Sequence, residues 1–281
     1  MAEALILSSY VAASRVGGQA QVLALAGLGV EASLIPTVLF GRHPGLGPPG
    51  GSSVTPELFA DLAGGVEASG LLQRIKLVIT GYFAHPAQVE TAARLIDAAR
   101  AAQPDLIVVV DPVLGDEGKG LYVRAEAAEA VVRLLPSRAD LLTPNLWELG
   151  YLSGRGVATN DEAVFAARSL LPRLRGPRLI VTSAPSPRDR IAILDITQDS
   201  VWSAAHGREG FAPNGTGDLF TALIGAALLD GLPRPNDLVR AAGGVADAVQ
   251  LSILHDTPNL VVADPALDFR APSTPVFLET L

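Results

Sequence analysis

The chain has 281 residues, of which 49% are hydrophobic and 18% charged, and its formal net charge is −8. That length and apolar content support a sizeable core and exclude a disordered chain, while the acidic balance, with no run of Lys or Arg, argues against a nucleic-acid partner. The absence of cysteine removes disulfides, thiolate catalysis and cysteine-ligated zinc together.

Apolar runs bounded by turn residues alternate with longer helical patterns. ALILSS (4–9) predicts a first buried strand, GGQAQVLALAGLG (17–29) a helix and VEASLIP (30–36) the next strand. The segment 37–53, TVLFGRHPGLGPPGGSS, is rich in Gly and Pro and is expected to form a small flap off the sheet. IKLVITG (75–81) and DLIVVVDP (105–112) read as strands with a helix over 86–102 between them. ADLLTPN (139–145), RLIVTS (178–183) and RIAILDI (190–196) follow as further strands, helices are expected at about 216–230 and 236–254, and 256–281 remains as a C-terminal tail.

Strands alternating with helices imply βαβ units, hence an α/β fold with a mainly parallel sheet covered on both faces, here a single domain over 1–281. Ligands of such sheets bind beyond the carboxyl ends of the strands, which directs attention to Ser9, Tyr82, Asp111, Asn145 and Ser183. The longest apolar run, Leu219–Leu229, falls short of the roughly 18 residues a membrane span needs. The opening MAEALILSSY has no basic leader region, so a cytoplasmic protein without membrane contact is expected.

Two glycine-rich stretches imitate phosphate loops. GLGPPG (45–50) matches a dinucleotide fingerprint, but its prolines forbid the helix that must follow. GDEGKG (115–120) lacks both the spacing and the hydroxyl residue of a P-loop.

The segment APNGTGDLFTALIGAALLDG (212–231) carries the clearest chemistry. Gly215 and Gly217 let backbone N–H groups converge, and the helix starting near Thr216 adds its positive end, which together make an anion site. Asp218, in the first helical turn, would then accept the proton of an alcohol while Gly215, Thr216 and Gly217 stabilise a transferring phosphoryl group. An isolated G-x-G-D serves equally as a helix cap.

The wider pattern resembles a known family. G-T-G-D resembles the signature of the ribokinase-like superfamily, and ILSSYVAASRVGGQAQ, GRHPGLG, TGYF, DPVLGDEGKGLYV and TPNLWELGYLSG resemble, in this order, segments of the pyridoxal kinases. The resemblance runs from about residue 4 to about 255. It implies a three-layer α/β/α ribokinase-like fold, a homodimer, and ATP-dependent phosphorylation of the 5′-hydroxymethyl of pyridoxal to pyridoxal 5′-phosphate, with pyridoxine and pyridoxamine as further acceptors. It makes Asp218 the general base. It makes Ser9 a partner of the pyridine ring, puts Thr37 and His43 in the segment over the vitamin, and puts Tyr82 in the loop beside it. Val11 joins Ser9 and Tyr82 as a wall for a flat heteroaromatic.

Asp111 and Glu148 are the expected acidic partners of Mg²⁺·ATP, directly or through water. Asn145 and Glu148 stand at i and i+3, a spacing that also makes a helix capping box. Thr182, Ser183, Arg188 and Arg190 fall where the resemblance implies nucleotide phosphates, and Val239, Ala242 and Gly243 are placed along an adenine pocket; a monovalent cation is a further expectation. Two departures stand out. AASRVGG replaces a segment where many members carry Tyr-Gly, and Thr182 replaces a frequent lysine. Rival readings are a hydroxymethylpyrimidine kinase, disfavoured because those enzymes usually read G-T-G-C, another small-alcohol kinase, and a vitamin-binding protein without catalysis.

Overall fold

The computed structural model describes residues 3–187 and 189–281; Arg188, expected near the nucleotide, lies outside the described residues. Six strands run parallel: β1 (Glu3–Val11), β2 (Glu31–Phe40), β4 (Ile75–Thr80), β5 (Ile107–Val110), β8 (Leu141–Leu142) and β9 (Arg178–Ala184). Antiparallel strands extend them at both ends: β3 (Gly51–Ser53) beside β2, and β10 (Arg190–Ile196), β11 (Val201–Gly207) and β12 (Phe277–Thr280) beyond β9. The order in the ten-stranded sheet is β12-β11-β10-β9-β8-β5-β4-β1-β2-β3, and β6 (Gly115–Asp116) and β7 (Gly120–Leu121) form a separate hairpin.

The central strands are apolar on both faces because both are covered. Ile6, Ile79, Val109 and Ile180 point to a layer made by α1 (Gly17–Gly27), α7 (Thr216–Leu229) and α8 (Asn236–Leu254). Leu7, Val78, Val110 and Val181 point the other way. They meet α2 (Pro56–Ala68), α3 (Pro86–Ala102), α4 (Ala125–Leu134), α5 (Leu146–Ser153) and α6 (Asn160–Leu170), which completes the three-layer α/β/α arrangement. Alternation at period two, with apolar residues at every position, is what a doubly covered parallel strand requires.

Local signals set the helix starts. Thr55 Oγ1 accepts from the Leu58 amide with Pro56 at the first helical position of α2, and Thr159 and Glu162 cap α6 reciprocally. On α7 a Cβ at Gly225 would lie 3.1 Å from the Leu77 side chain, so its glycine lets the helix seat closely beneath β4.

Several boundaries differ from expectation. β2 continues through Pro36 to Phe40, so the flap proper is the turn over 41–50 between β2 and β3. Pro36 is tolerated because the β1–β2 register shifts there, between Ser8 and Tyr10. The strand expected at 139–145 shrinks to Leu141–Leu142, since only those residues pair with both neighbours. The tail ends in a strand: β12 closes the sheet's edge against β11. The 45–50 lookalike forms a short 3₁₀ turn and an extended exit, and the 115–120 lookalike is the β6–β7 hairpin.

The amino end of this sheet is fastened by a buried ionic knot. Arg178 (8% exposed) donates to both oxygens of Asp195 at 2.9 and 2.8 Å and to Asp237, and Arg234 donates to Asp195 at 2.7 Å; both aspartates are fully buried. Removing one partner strands a buried charge, which costs about 3–5 kcal/mol. Arg178→Ala is therefore expected to lower unfolding free energy by that order in urea titrations. The carboxyl edge should keep its geometry, because the knot lies at the opposite end of the sheet.

Candidate active site

The carboxyl ends of β1, β4, β5, β8 and β9 gather Ser9, Tyr82, Asp111, Asn145 and Thr182 along one edge of the sheet. Asp218 reaches this edge from the helical layer. α7 begins at Gly215, whose φ of +102° and whose contact with the Arg15 carbonyl, 2.3 Å from where a Cβ would lie, admit only glycine. Thr216 and Gly217 then open the helix with no side chain capping their amides, which leaves free N–H groups at its positive end.

A second helix end meets the first. The Gly17 amide, at the start of α1, donates to Asp218 Oδ2 at 2.8 Å. Gly17 has φ +58°, and a Cβ there would lie 2.0 Å from Ser9 Oγ, so Ser9, Gly17 and Asp218 form one compact group. Burial pushes the Asp218 carboxyl up to about 6, against the opposing pull of the Gly17 hydrogen bond.

Asp111 is buried at the end of β5 and accepts from Thr221 Oγ1 at 3.1 Å; Thr143 Oγ1 lies 3.2 Å from the same hydroxyl. Thr221 stands one turn beyond Asp218, so α7 presents Asp218 and the support of Asp111 on one face. Burial raises the Asp111 carboxyl well above its usual range, and the charges of Glu148 and Asp218 raise it further.

Glu148 is raised to about 7 by burial, although its oxygens accept from Leu114 N at 2.9 Å, Gly115 N at 3.4 Å and Asn145 N at 2.9 Å. Asn145 Oδ1 returns a bond from the Glu148 amide at 2.8 Å, and Asn145 Nδ2 donates to Gly115 O at 2.9 Å. The capping box is real, and it also fastens the 114–115 segment over the site. Tyr122 stands in the same field: burial first, then Glu148, Asp111, Asp116 and Asp218, push its hydroxyl far above the ordinary range.

Among the described residues, no three His, Cys, Asp or Glu come close enough to hold a metal ion by themselves. Hard carboxylate oxygens at raised pKa nevertheless suit Mg²⁺ arriving with a nucleotide. Glu148 already accepts three backbone amides, which favours contact through water, whereas Asp111 keeps more of its acceptor capacity.

The remaining expected residues fall unevenly. Val11 is buried at the end of β1, and Tyr82 is half-buried, its hydroxyl raised by burial. Thr37 is fully buried with its hydroxyl donating to the Tyr82 carbonyl at 2.7 Å, which ties it to the Tyr82 loop. Gln88, buried on α3, fixes the same region by donating to the Thr37 and Val54 carbonyls at 2.9 and 2.8 Å. His43 Nδ1 accepts from the Gly45 amide at 3.1 Å within the flap turn, and burial together with the charge of Lys119 lowers its pKa. Thr182 bridges to Asn145, and its amide donates to the Pro144 carbonyl at 2.9 Å. Ser183 holds φ +56°, a strained value for a non-glycine residue that is often found at ligand clamps.

The expected adenine-side positions are only partly open. Ala242 lies in the core and Gly243 is covered by Pro272, 3.0 Å from where a Cβ would lie, so neither opens onto an adenine pocket; Val239 remains half-exposed. The Arg190 guanidinium lies 3.8 Å from the centroid of Phe277 on β12. Sequence reasoning missed Gly17, Thr221 and Gln88. Thr221 was signalled only by being a hydroxyl in an otherwise apolar helix, and Gly17 by a second glycine-opened helix.

A G-T-G-D helix end facing a carboxylate cluster at the carboxyl edge of a three-layer sheet defines a ribokinase-like kinase. The family model for phosphomethylpyrimidine kinase matches residues 68–259, and the chain belongs to that family. Its similarity within the family is to enzymes of vitamin B6. A pyridoxine/pyridoxal/pyridoxamine kinase of Bordetella avium is 33% identical over 266 residues, covering 92% of this chain and 89% of its own. The pyridoxal kinase of Leishmania donovani, solved with ADP and ginkgotoxin, superposes at a TM-score of 0.91 with 25% identity over 100% of both chains. A putative phosphomethylpyrimidine kinase of Bacteroides thetaiotaomicron, solved with pyridoxal, shares the fold at a TM-score of 0.87 with 24% identity, covering 100% of this chain and 99% of that one.

The raised carboxyls fix a sign for stability. Glu148 binds its proton more tightly folded, at about 7, than unfolded, so stability is greatest below the unfolded value and falls as pH rises through about 7. The loss is on the order of 3 kcal/mol. Urea midpoints of the ligand-free protein should drop between pH 5 and pH 8. Asp111→Asn, which removes a second buried carboxyl of raised pKa, should flatten that drop; an equally steep variant would show that Asp111 contributes nothing to it.

Proposed function

We propose that this chain is an ATP-dependent vitamin B6 kinase that phosphorylates the 5′-hydroxymethyl of pyridoxal, giving pyridoxal 5′-phosphate and ADP. The observation that carries the reading is Asp218, a carboxylate held by the first amide of α1 beside the open amides of α7. A proton acceptor beside an anion hole is the minimum equipment for phosphoryl transfer to an alcohol. The identity and coverage of the Bordetella avium relative support pyridoxal over the pyrimidine alcohol, as does aspartate in place of the cysteine usual in that turn of the pyrimidine enzymes.

In this reading Ser9, Val11 and Tyr82 receive the pyridine ring and the flap bearing His43 covers it. Asp218 accepts the hydroxyl proton as the alkoxide oxygen bonds to the γ-phosphorus. The bond from that phosphorus to the bridging oxygen breaks, and its electron pair leaves with ADP. Gly215, Thr216 and Gly217 donate to the transferring oxygens. Asn145, Thr182, Ser183 and Arg190 face the nucleotide. Asp111, and Glu148 through water, would hold Mg²⁺, which supplies neutralisation of phosphate charge when bound.

The reading also includes a single kinase domain, a cytoplasmic location and a homodimer. No helix among the described residues is long and apolar enough to cross a membrane. Leu39 on β2 and Leu58 and Leu62 on α2, exposed at 48, 48 and 38%, support pairing through that edge.

Because the base must be ionised, kcat/KM should rise with pH and level off above about 6, following Asp218. Asp218→Asn should cut kcat by roughly 10²- to 10⁴-fold and abolish that acid limb. Pyridoxal binding, followed by calorimetry, should survive the change. Retained turnover in the variant would remove Asp218 from the chemistry, and pyridoxal binding without turnover in the wild type would favour the non-catalytic reading.

A further inference from the structure

The C-terminal segment is fastened more firmly than a chain end requires. Pro272 packs on Gly243 of α8. Asp247, one turn further along, accepts from the Ser273 amide at 2.7 Å, the Ser273 hydroxyl at 3.1 Å, the Thr274 amide at 2.8 Å and the Thr274 hydroxyl. Val276 then packs on the core, and Phe277 begins β12 opposite Ala205. These contacts bring Phe277 to the carboxyl edge of the sheet, where its ring is 51% exposed. A ring that exposed contributes little to the core, yet it meets one group closely: the Arg190 guanidinium, 3.8 Å from its centroid.

Arg190 opens β10 across from Gly207, two residues nearer the carboxyl edge than the Ala192–Ala184 pair. Its backbone is fixed on both sides: its amide donates to the Pro187 carbonyl at 2.8 Å, and its carbonyl accepts from Arg208 Nε at 3.3 Å. Among the described residues no carboxylate pairs with its guanidinium. A guanidinium lying on an aromatic face keeps its in-plane N–H donors free. It is thus a cation already ordered and still able to receive an anion.

We propose that Phe277 is a positioning residue for the nucleotide, holding the Arg190 guanidinium at the rim where it receives a phosphate of ATP. The inference rests on the kinase reading above. It follows from the charge of the site: Asp111, Glu148 and Asp218 repel an incoming polyphosphate, and a long arginine left unrestrained would lose rotamer entropy on binding it. Stacking removes that loss in advance, so the gain appears as nucleotide affinity and not as rate.

The test is nucleotide affinity by calorimetry with Mg²⁺·ADP, together with steady-state kinetics, for Phe277→Leu, Phe277→Tyr, Arg190→Gln and the double variant Phe277→Leu/Arg190→Gln. Phe277→Leu keeps apolar bulk on β12 and removes the aromatic face. It should weaken ADP binding and raise the ATP KM by about three- to tenfold while kcat and the pyridoxal KM hold. Phe277→Tyr should behave as the wild type. In the Arg190→Gln background, Phe277→Leu should add nothing further. Unchanged ADP affinity in Phe277→Leu, or an undiminished effect in the double variant, overturns the proposal while leaving the kinase reading intact if the wild type still forms pyridoxal 5′-phosphate. A parallel loss of affinity for both substrates with a lowered Tm makes Phe277 merely structural and also overturns it. A wild type that binds no ADP overturns both readings.

Discussion

The hydrogen bond from the Gly17 amide to Asp218 Oδ2 joins the two halves of the site. It is made between residues 201 apart in sequence, at the point where α1 and α7 both begin. Each helix end needs a glycine with positive φ to reach that point: Gly17 because Ser9 leaves no room for a Cβ, Gly215 because the Arg15 carbonyl leaves none. Two positive helix ends then bear on one carboxylate and favour its ionised form, while burial favours the protonated one. The balance leaves Asp218 near 6, ionised at neutral pH yet more basic than a surface aspartate. A base that accepts a proton only in passing works best with its pKa just below the working pH.

Around Asp218 the chain tolerates an arrangement that folding alone would not favour. Asp111 and Glu148 are buried with raised pKa values, and part of the rise of Asp111 comes from Glu148 and Asp218. Buried like charges cost stability unless a cation compensates. The contrast with the amino end of the sheet is instructive. There Asp195 and Asp237 are equally buried but answered by Arg178 and Arg234. The same residue type is thus neutralised internally where it is architectural and left unanswered where the kinase reading expects an external cation.

Much of this was legible in sequence where the signal is local. The strands at 178–184 and 190–196, the helices at 216–229 and 236–254, and the Asn145–Glu148 capping box are set by patterns within a dozen residues. The misses are long-range. β11 carries Trp202, Ser203 and His206 among small residues, and its identity as a strand depends on β10 and β12. Thr37 belongs to a segment that suggested ligand contact, yet its hydroxyl turns inward to Tyr82 across a separation of 45 residues. Gly243 sits on a helix face that only the returning tail covers. No windowed pattern carries such information, because the partner that decides the role lies elsewhere in the chain.

The order of strands also explains how two substrates are kept apart until they meet. On the proposed assignment the vitamin faces β1, β2 and β4, with Ser9, the flap and Tyr82, while the nucleotide faces β8, β9 and β10, with Asn145, Thr182, Ser183 and Arg190. β5 lies between these groups and is followed directly by Asp111. Beneath this divide runs α7, seated on Leu77 and Ile79 through Gly225 and tied to Asp111 through Thr221. The helix therefore delivers Asp218 to the boundary between the two groups of strands, from below and not from either side. A base carried by a vitamin-side loop would move with the flap, and one on a nucleotide-side loop would move with the phosphates. On the kinase reading, a base mounted on a helix packed into the core stays fixed while both partners come to it, and in-line transfer between separately bound groups demands that constancy.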